Sequence, residues 1–183
     1  MPFVCTIDPD SIQAAFFQEG GDYLIVIPIG FDDASPLTYS LMVTLSPSGG
    51  GLLEYAFCII EANDVEYSEN QIWSGLESAR FLKGDDRKDV LSLLIQCTKF
   101  LLDSVRPLSV FFCTIDTFAP EKADRKYSLV AQTFEMCGYR VRTTDPWHGQ
   151  RYWRMERDAG APVGPPEGGG HEPRRADKAP PGS

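Results

Sequence analysis

The densest group of chemically versatile side chains lies near the C-terminal end of the chain, in the segment 145–153. It combines indole, imidazole, phenol and guanidinium groups, on Trp147, His148, Tyr152 and Arg151, and a further arginine, Arg154, follows it directly. Aromatic and arginine side chains often dominate the energy of protein–protein binding, and aromatic rings also stack on nucleobases. The segment therefore predicts a partner-binding surface. The simpler interpretation is a hairpin turn with Trp153 packed in the core.

Two further arginines, Arg140 and Arg142, precede this segment on what the pattern predicts to be the partner strand of a hairpin. Because side chains alternate across a strand, they share one face, and Arg151 and Arg157 share a face of the second strand. A guanidinium can bind a phosphate or a carboxylate through two parallel hydrogen bonds. The pattern predicts a basic patch for a phosphate, RNA or an acidic protein surface. The alternatives are internal pairing with acidic residues and protection of an edge strand from aggregation.

Signs of catalysis or metal binding are sparse elsewhere. The five cysteines are dispersed without a C-x-x-C pair, which is typical of reduced thiols, and two histidines cannot build a His-rich metal site. Cys113 and Ser109 lie in an apolar run with no His nearby in sequence, and Asp116 after that run suits a turn. We therefore expect no catalytic residue, no metal and no resident cofactor.

Near the N-terminus, Gln13, Phe16 and Phe17 have the order of a short peptide by which many proteins dock on the bacterial sliding clamp. The same segment suits a helix that begins at Asp8 and ends at the glycine pair 20–21. Apolar residues at helical spacing usually pack against a core. Clamp docking and core packing both remain open at this point.

The charge of the chain is divided unevenly. Residues 1–79 contain twelve Asp and Glu and no Lys or Arg, whereas the formal net charge of the whole chain is −9. An acidic half repels phosphate groups and so opposes non-specific binding of nucleic acid. No run of 18 apolar residues and no secretory signal occurs, so we expect a cytoplasmic protein.

Hydrophobic periodicity predicts one α/β domain over residues 1–157. Strands are expected at 23–29, 37–45 and 52–60 as an antiparallel meander, then at 108–115, 139–143 and 151–157. Helices are expected at 68–79, from 86 to Pro107, and from 120 to Cys137. The remaining residues, 158–183, include twelve Gly or Pro, and we expect this tail to be disordered.

This element order resembles the GNAT-type acyltransferase fold over residues 22–157. Gly138-Tyr139 is similar to the Gly-aromatic pair that closes the fourth helix of that family, and Ala131 lies seven residues before Gly138. The resemblance implies a mixed, mostly antiparallel sheet flanked by helices. It also implies an acyl-CoA site at the start of the central helix, with Arg80, Gly84 and Arg87 as its cofactor-binding residues.

The chain departs from the family at the residues that carry its chemistry. The family's pyrophosphate loop reads [RQ]-x-x-G-x-[GA], whereas here Gly84 is displaced by one position and Asp86 replaces the second glycine. Carboxylates at a helix N-terminus repel a pyrophosphate. Phe134 stands where the family often has a tyrosine acid, and Ser128 stands where it has an asparagine.

The leading hypothesis is therefore a non-catalytic protein-interaction or regulatory protein of the bacterial cytosol, of the toxin–antitoxin or phage-related kind. It would bind a protein partner without a cofactor and without a membrane. One alternative is an atypical N-acyltransferase that uses acetyl-CoA or another acyl-CoA. A second alternative is binding of nucleic acid or of a sliding clamp.

Overall fold

The computed structural model describes residues 3–8, 15–73, 75–115 and 121–157. Over these ranges the chain is an α/β fold built on one mixed, mostly antiparallel sheet. The strands are β1 (Phe3–Cys5), β2 (Ala15–Glu19), β3 (Asp22–Asp32), β4 (Leu37–Pro47), β5 (Leu52–Asn63), β6 (Ser68–Ile72), β7 (Ser109–Ile115), β8 (Tyr139–Thr143) and β9 (Gln150–Arg157). The helices are α1 (Gly75–Ser78), α2 (Gly84–Val105) and α3 (Glu121–Met136).

The strands follow the order β1-β3-β4-β5-β7-β9-β8, with β2 also beside β3 and β6 also beside β5. Strands β3, β4 and β5 form the antiparallel meander that the sequence predicts, and β8 and β9 form the predicted closing hairpin. Among the described strands, β5 and β7 make the parallel pair, joined by a crossover through α2. A parallel pair needs such a crossover, because its second strand begins at the same end of the sheet.

Both long helices pack on one face of the sheet. Tyr55 in β5 shows this directly, because its hydroxyl lies 2.7 Å from the Thr98 hydroxyl of α2 while its ring lies 5.4 Å from the Phe134 ring of α3. We name this side the inner face and the opposite side the outer face. The inner face holds the hydrophobic core, which includes the fully enclosed side chains of Val110 and Met155. No helix of the described residues is long and apolar enough to cross a membrane.

A buried hydroxyl pair links the sheet to α2 and gives a first prediction. The Thr98 hydroxyl donates to the Leu94 carbonyl at 2.7 Å, so the Tyr55 hydroxyl donates to Thr98. Thr98→Val leaves the buried Tyr55 donor without its acceptor, and we expect a loss of about 1–3 kcal/mol of unfolding free energy. Tyr55→Phe removes the hydroxyl itself and should cost less in the same urea titration. Equal costs for the two variants would contradict the assigned direction of donation.

The helix predicted for the N-terminal segment is wrong over residues 15–19, which form strand β2, and residues 9–14 lie outside the described residues. Gly20 and Gly21 both adopt positive φ, at 60° and 96°, and Glu19 pairs with Asp22. Two left-handed residues between paired strands are the preferred geometry of a tight hairpin. The glycine pair therefore folds the segment onto the edge of β3, and this pairing overrides its helical spacing.

The helix predicted over residues 68–79 is also largely wrong. The first part forms β6, which pairs with Ile59–Asn63 of β5, and helical structure is confined to the single turn α1. The Asn63 side-chain oxygen accepts hydrogen bonds from the backbone N–H groups of Val65 and Glu66, at 3.0 and 3.1 Å. An asparagine that closes a turn in this way reverses the chain and brings the next segment back as a hairpin partner.

The predicted central helix is confirmed as α2, but neither Asp85 nor Asp86 caps it. The N-cap is Lys83, without a side-chain hydrogen bond, and the two aspartates lie in the first turn, where the helix dipole favours them. Strand β7 also differs from expectation. Its burial alternates, with Phe112 buried and Ile115 69% exposed, because neither α2 nor α3 covers the outer face.

Candidate partner-binding surface

The turn of the hairpin β8–β9 is built from His148 and Gly149, whose φ angles of 50° and 75° are both positive. Trp147 and Gln150 enclose this turn and exchange two backbone hydrogen bonds, of 2.8 and 3.0 Å. The geometry is that of a two-residue hairpin turn, for which Gly149 is well suited. It leaves the Trp147 ring 70% exposed, with the His148 ring 4.3 Å from it.

Three arginines of the hairpin share the outer face and are exposed there: Arg140, Arg142 and Arg154. We name these three residues the arginine patch. The strand register places Arg142 directly opposite Arg154, and Arg140 directly opposite Glu156. Directly opposed side chains on neighbouring strands lie close enough to interact, and two like charges in that position destabilise the hairpin.

An ion pair between Arg154 and Glu156 partly neutralises the patch. An Arg154 side-chain nitrogen lies 3.0 Å from a carboxylate oxygen of Glu156, two residues further along the same face of β9. Both side chains are well exposed, so this pair contributes little to stability. The patch thus presents three guanidinium groups, with the Glu156 carboxylate beside Arg154, on a face that solvent reaches.

Apolar and aromatic groups border the patch on the same face. Tyr152 is 39% exposed, and its hydroxyl donates a hydrogen bond to the Gln150 side chain at 3.1 Å. Ile115, on the neighbouring strand β7, lies directly opposite Gln150 of β9. The sequence prediction does not include Ile115, because the continuous apolar run of β7 suggested burial on both faces. An aliphatic and aromatic margin next to guanidinium groups is typical of protein–protein interfaces.

The predicted pairing of Arg151 with Arg157 on one face holds, but its place in the basic patch needs correction. Arg151 and Arg157 share a face as predicted, but it is the inner face, where Arg157 donates to the Arg106 carbonyl at the end of α2, at 3.2 Å. Arg151 has its Nε atom buried, so it does not join the arginine patch. Trp153 is buried and stacks on Phe112 at 5.3 Å, as the core interpretation predicts.

The clamp-type motif falls partly outside the described residues, since Gln13 is not among them. Phe16 and Phe17 lie on β2, where they pair with Ile25 and Leu24, rather than on a helix. Phe16 faces the inner side, because its ring lies 6.1 Å from Phe100 of α2, and adjacent residues of a strand point to opposite faces. The two rings therefore do not form one contiguous docking surface.

The residues that the alternative interpretation assigns to a cofactor lie at the start of α2. Arg80 is exposed after α1, Gly84 opens the helix with φ of 53°, and Arg87 is exposed in the first turn. Asp85 in the same turn holds Lys88 at 2.7 Å, and this contact lowers the pKa of the Asp85 carboxyl. The helix start therefore carries a charged carboxylate at neutral pH.

Phe134, near the end of α3, is sealed in the core. Phe134 is 0% exposed, and its ring lies 5.4 Å from Tyr55 and 5.6 Å from Tyr139. In the described part of the chain, no group of three or more His, Cys, Asp or Glu side chains is arranged to hold a metal ion. Comparison with protein-family models, curated proteins and solved structures found no match to this chain.

Proposed function

We propose that this protein is a non-catalytic interaction protein, of a regulatory kind, whose arginine patch binds an acidic surface of a protein partner. The observation that carries the proposal is the direct opposition of Arg142 and Arg154 on an exposed sheet face. Such a pair costs stability in the free protein. Carboxylates of a partner would relieve the repulsion between the two arginines and form charge-assisted hydrogen bonds with them.

The proposed architecture is GNAT-like, without the chemistry of the family. Its support is the element order: three antiparallel strands, then α2, β7, α3 and the closing hairpin. The left-handed Gly138, with φ of 85°, ends α3 before Tyr139, as the resemblance implies. The fold proposal concerns topology alone, because a shared fold does not carry a shared activity.

Strand β6 gives separate support for the absence of acyl transfer. In open α/β sheets, ligands bind where the carboxyl ends of parallel strands leave a crevice. Here β5 and β7 pair only at their first residues, Leu52–Glu54 with Ser109–Phe111. Beyond that point the free edge of β5 is hydrogen-bonded to β6 through Ile59–Asn63. A ligand entering between β5 and β7 would find those backbone groups of β5 already paired.

Charge reversal at Arg142 tests the proposed interface. In Arg142→Glu, a carboxylate faces Arg154 across the two strands, so the unfolding free energy should rise by about 0.2–1 kcal/mol. Retention on immobilised polyglutamate at low salt should weaken about tenfold, which corresponds to about 1.4 kcal/mol. Opposite changes in stability and binding are expected of an interaction site. If Arg142 had only a structural role, the substitution would lower both the unfolding free energy and the retention, or would change neither.

Arg80→Glu is the matched control, because it changes the net charge equally at an exposed position outside the patch. It should leave retention on polyglutamate nearly unchanged. If the native protein shows no retention, or if both variants weaken it equally, the proposed interface is wrong. Salt-dependent retention on single-stranded DNA that is lost in Arg142→Glu would assign the patch to nucleic acid instead. Saturable thermal stabilisation by acetyl-CoA would overturn the non-catalytic assignment.

A further inference from the structure

The hairpin β2–β3 carries a pair of like charges on the outer face, at the edge of the sheet opposite the hairpin β8–β9. Glu19 and Asp22 are directly opposed across the glycine turn, where Glu19 is exposed and Asp22 is half-buried. They share the outer face, because Phe16 faces the inner side and side chains alternate along each strand. The two carboxylates repel one another, as Arg142 and Arg154 do in the other hairpin.

The strand register places these two pairs at the ends of one row that crosses the outer face. The β3–β4 register, continued by one residue, places Asp22 beside Ser46, and the β4–β5 register places Ser46 beside Glu54. The registers of β7, β9 and β8 continue the row from Glu54 through Phe111. From edge to edge the row contains one residue of each strand: Glu19, Asp22, Ser46, Glu54, Phe111, Arg154 and Arg142.

The carboxylate pair and the arginine pair are too far apart to neutralise each other within one molecule. Five strand spacings separate their centres, which corresponds to about 24 Å at about 4.8 Å between neighbouring strands. At physiological salt the Debye length is about 8 Å, so charges at that separation are screened. Among the described side chains, Arg154 forms an ion pair with Glu156, whereas Glu19 and Asp22 form none. The carboxylate pair therefore keeps its repulsion in the isolated chain.

The outer face between the two pairs is uncharged apart from Glu54. Beside the row, the register aligns side chains that are apolar or small: Leu24 with Thr44 and Ala56, then Val26 with Met42 and Cys58. Helices α2 and α3 lie on the other face of the sheet and leave this area uncovered. An apolar centre with charged groups at its margin is the usual composition of a protein–protein interface.

A row with opposite charges at its two ends is complementary to a reversed copy of itself. A two-fold axis between two outer faces, parallel to the strands at β5, brings Arg142 to Glu19 and Arg154 to Asp22 of the other copy. We infer that the chain forms a dimer through its outer face, in which each arginine patch binds the Glu19–Asp22 pair of a second copy. The inference rests on the proposed function, because it names the acidic surface that the patch binds.

Sedimentation equilibrium of the full chain at low salt measures this association. We expect a dimer that dissociates as salt is raised, because its charged pairs lie at the exposed ends of the interface. Each substitution occurs at both ends of a two-fold dimer. A loss of about tenfold at each end therefore raises Kd about a hundredfold in Arg142→Glu and in Glu19→Arg. Asp89→Arg is the matched control, exposed on α2 away from the outer face, and should leave Kd nearly unchanged.

Mixing the two charge-reversed variants tests the pairing itself. A dimer of one Glu19→Arg copy and one Arg142→Glu copy has one native end, and at its other end the two new side chains again have opposite charges. The mixture should therefore dimerise with nearly the native Kd, although each variant alone is monomeric. The same axis brings Glu54 opposite its own copy, so Glu54→Gln removes a repulsion and should lower Kd several-fold.

The inference is overturned if the native chain stays monomeric to about 100 μM at low salt, or if Glu19→Arg associates as tightly as Asp89→Arg. It is also overturned if the mixture of variants stays monomeric, if Glu54→Gln does not tighten the dimer, or if the mass grows beyond a dimer. Glu19→Arg separates this result from the proposed function, because its arginine patch is intact. Retention of that variant on polyglutamate supports the proposed function even where the dimer fails, and lack of retention contradicts it.

Discussion

Replacing Phe134 by alanine should lower the unfolding free energy by about 3–5 kcal/mol, the usual cost of emptying a fully buried phenylalanine site. The ring is completely enclosed and makes edge-to-face contacts with Tyr55 and Tyr139, at 5.4 and 5.6 Å. It also joins α3 to two strands, so the cavity cannot collapse without moving the helix. Urea-induced unfolding, followed by far-UV circular dichroism, measures the loss.

Phe134→Tyr tests the functional meaning of the same position. If the site opened onto a cleft, a tyrosine there would be tolerated and could donate a proton. In the enclosed core its hydroxyl displaces packed rings, and without an acceptor it should cost about 1–3 kcal/mol. We expect Phe134→Tyr to be destabilised and to gain no acetyl-CoA hydrolysis. A variant as stable as the native protein would show that the position is not sealed.

Replacing Gly30 by alanine should cost about 3 kcal/mol, because the added methyl group meets backbone as well as a side chain. A Cβ atom at this position would lie 2.2 Å from the Val4 carbonyl oxygen and 2.6 Å from the Phe3 ring. Since the Val4 carbonyl is fixed in the ladder that joins β1 to β3, relief requires that β1 move away. Phe3 would then lose its ring contacts with Tyr39 and Phe81, both at 5.6 Å.

Gly75→Ala is the matched control for Gly30→Ala. Gly75 opens α1, and an added methyl group there meets no atom within 4 Å. Alanine has the higher helix propensity, so this variant should be neutral or more stable by up to about 1 kcal/mol. Amide hydrogen exchange at Val4 and Cys5 should accelerate in Gly30→Ala only. Similar unfolding free energies for the two variants would contradict the close approach at Gly30.

In the hairpin β8–β9, the alternation of side chains along a strand predicts which arginines share a face, but not which face is buried. The sequence predicts that Arg140 and Arg142 share one face of their strand, and that Arg151 and Arg157 share one face of theirs. The strand register confirms both predictions. Alternation by itself does not say which set faces the core. Trp153 and Met155 decide this, because their burial in the core, with Trp153 stacked on Phe112, turns the odd-numbered residues of β9 inward. Arg154, on the even-numbered side, then meets Arg142 on the outer face.

The elements that the sequence determined are those whose pattern is local and strong. The meander β3–β5, the long helix α2, the stripe of α3 that ends at Gly138, and the closing hairpin follow from apolar periodicity and from residues that end helices. The same local analysis identified the carboxylates at the start of α2. Each of these conclusions depends on residues near one another in the chain.

The tertiary structure decided what depends on distant partners. Segments 15–19 and 68–72 carry weak local signals, and each became a strand because a free edge, of β3 or of β5, offered backbone hydrogen bonds. The arginine patch likewise unites residues from separate elements, the strands β8 and β9. Sequence spacing cannot reveal such groups, because the strand register and the face on which α2 and α3 pack bring them together.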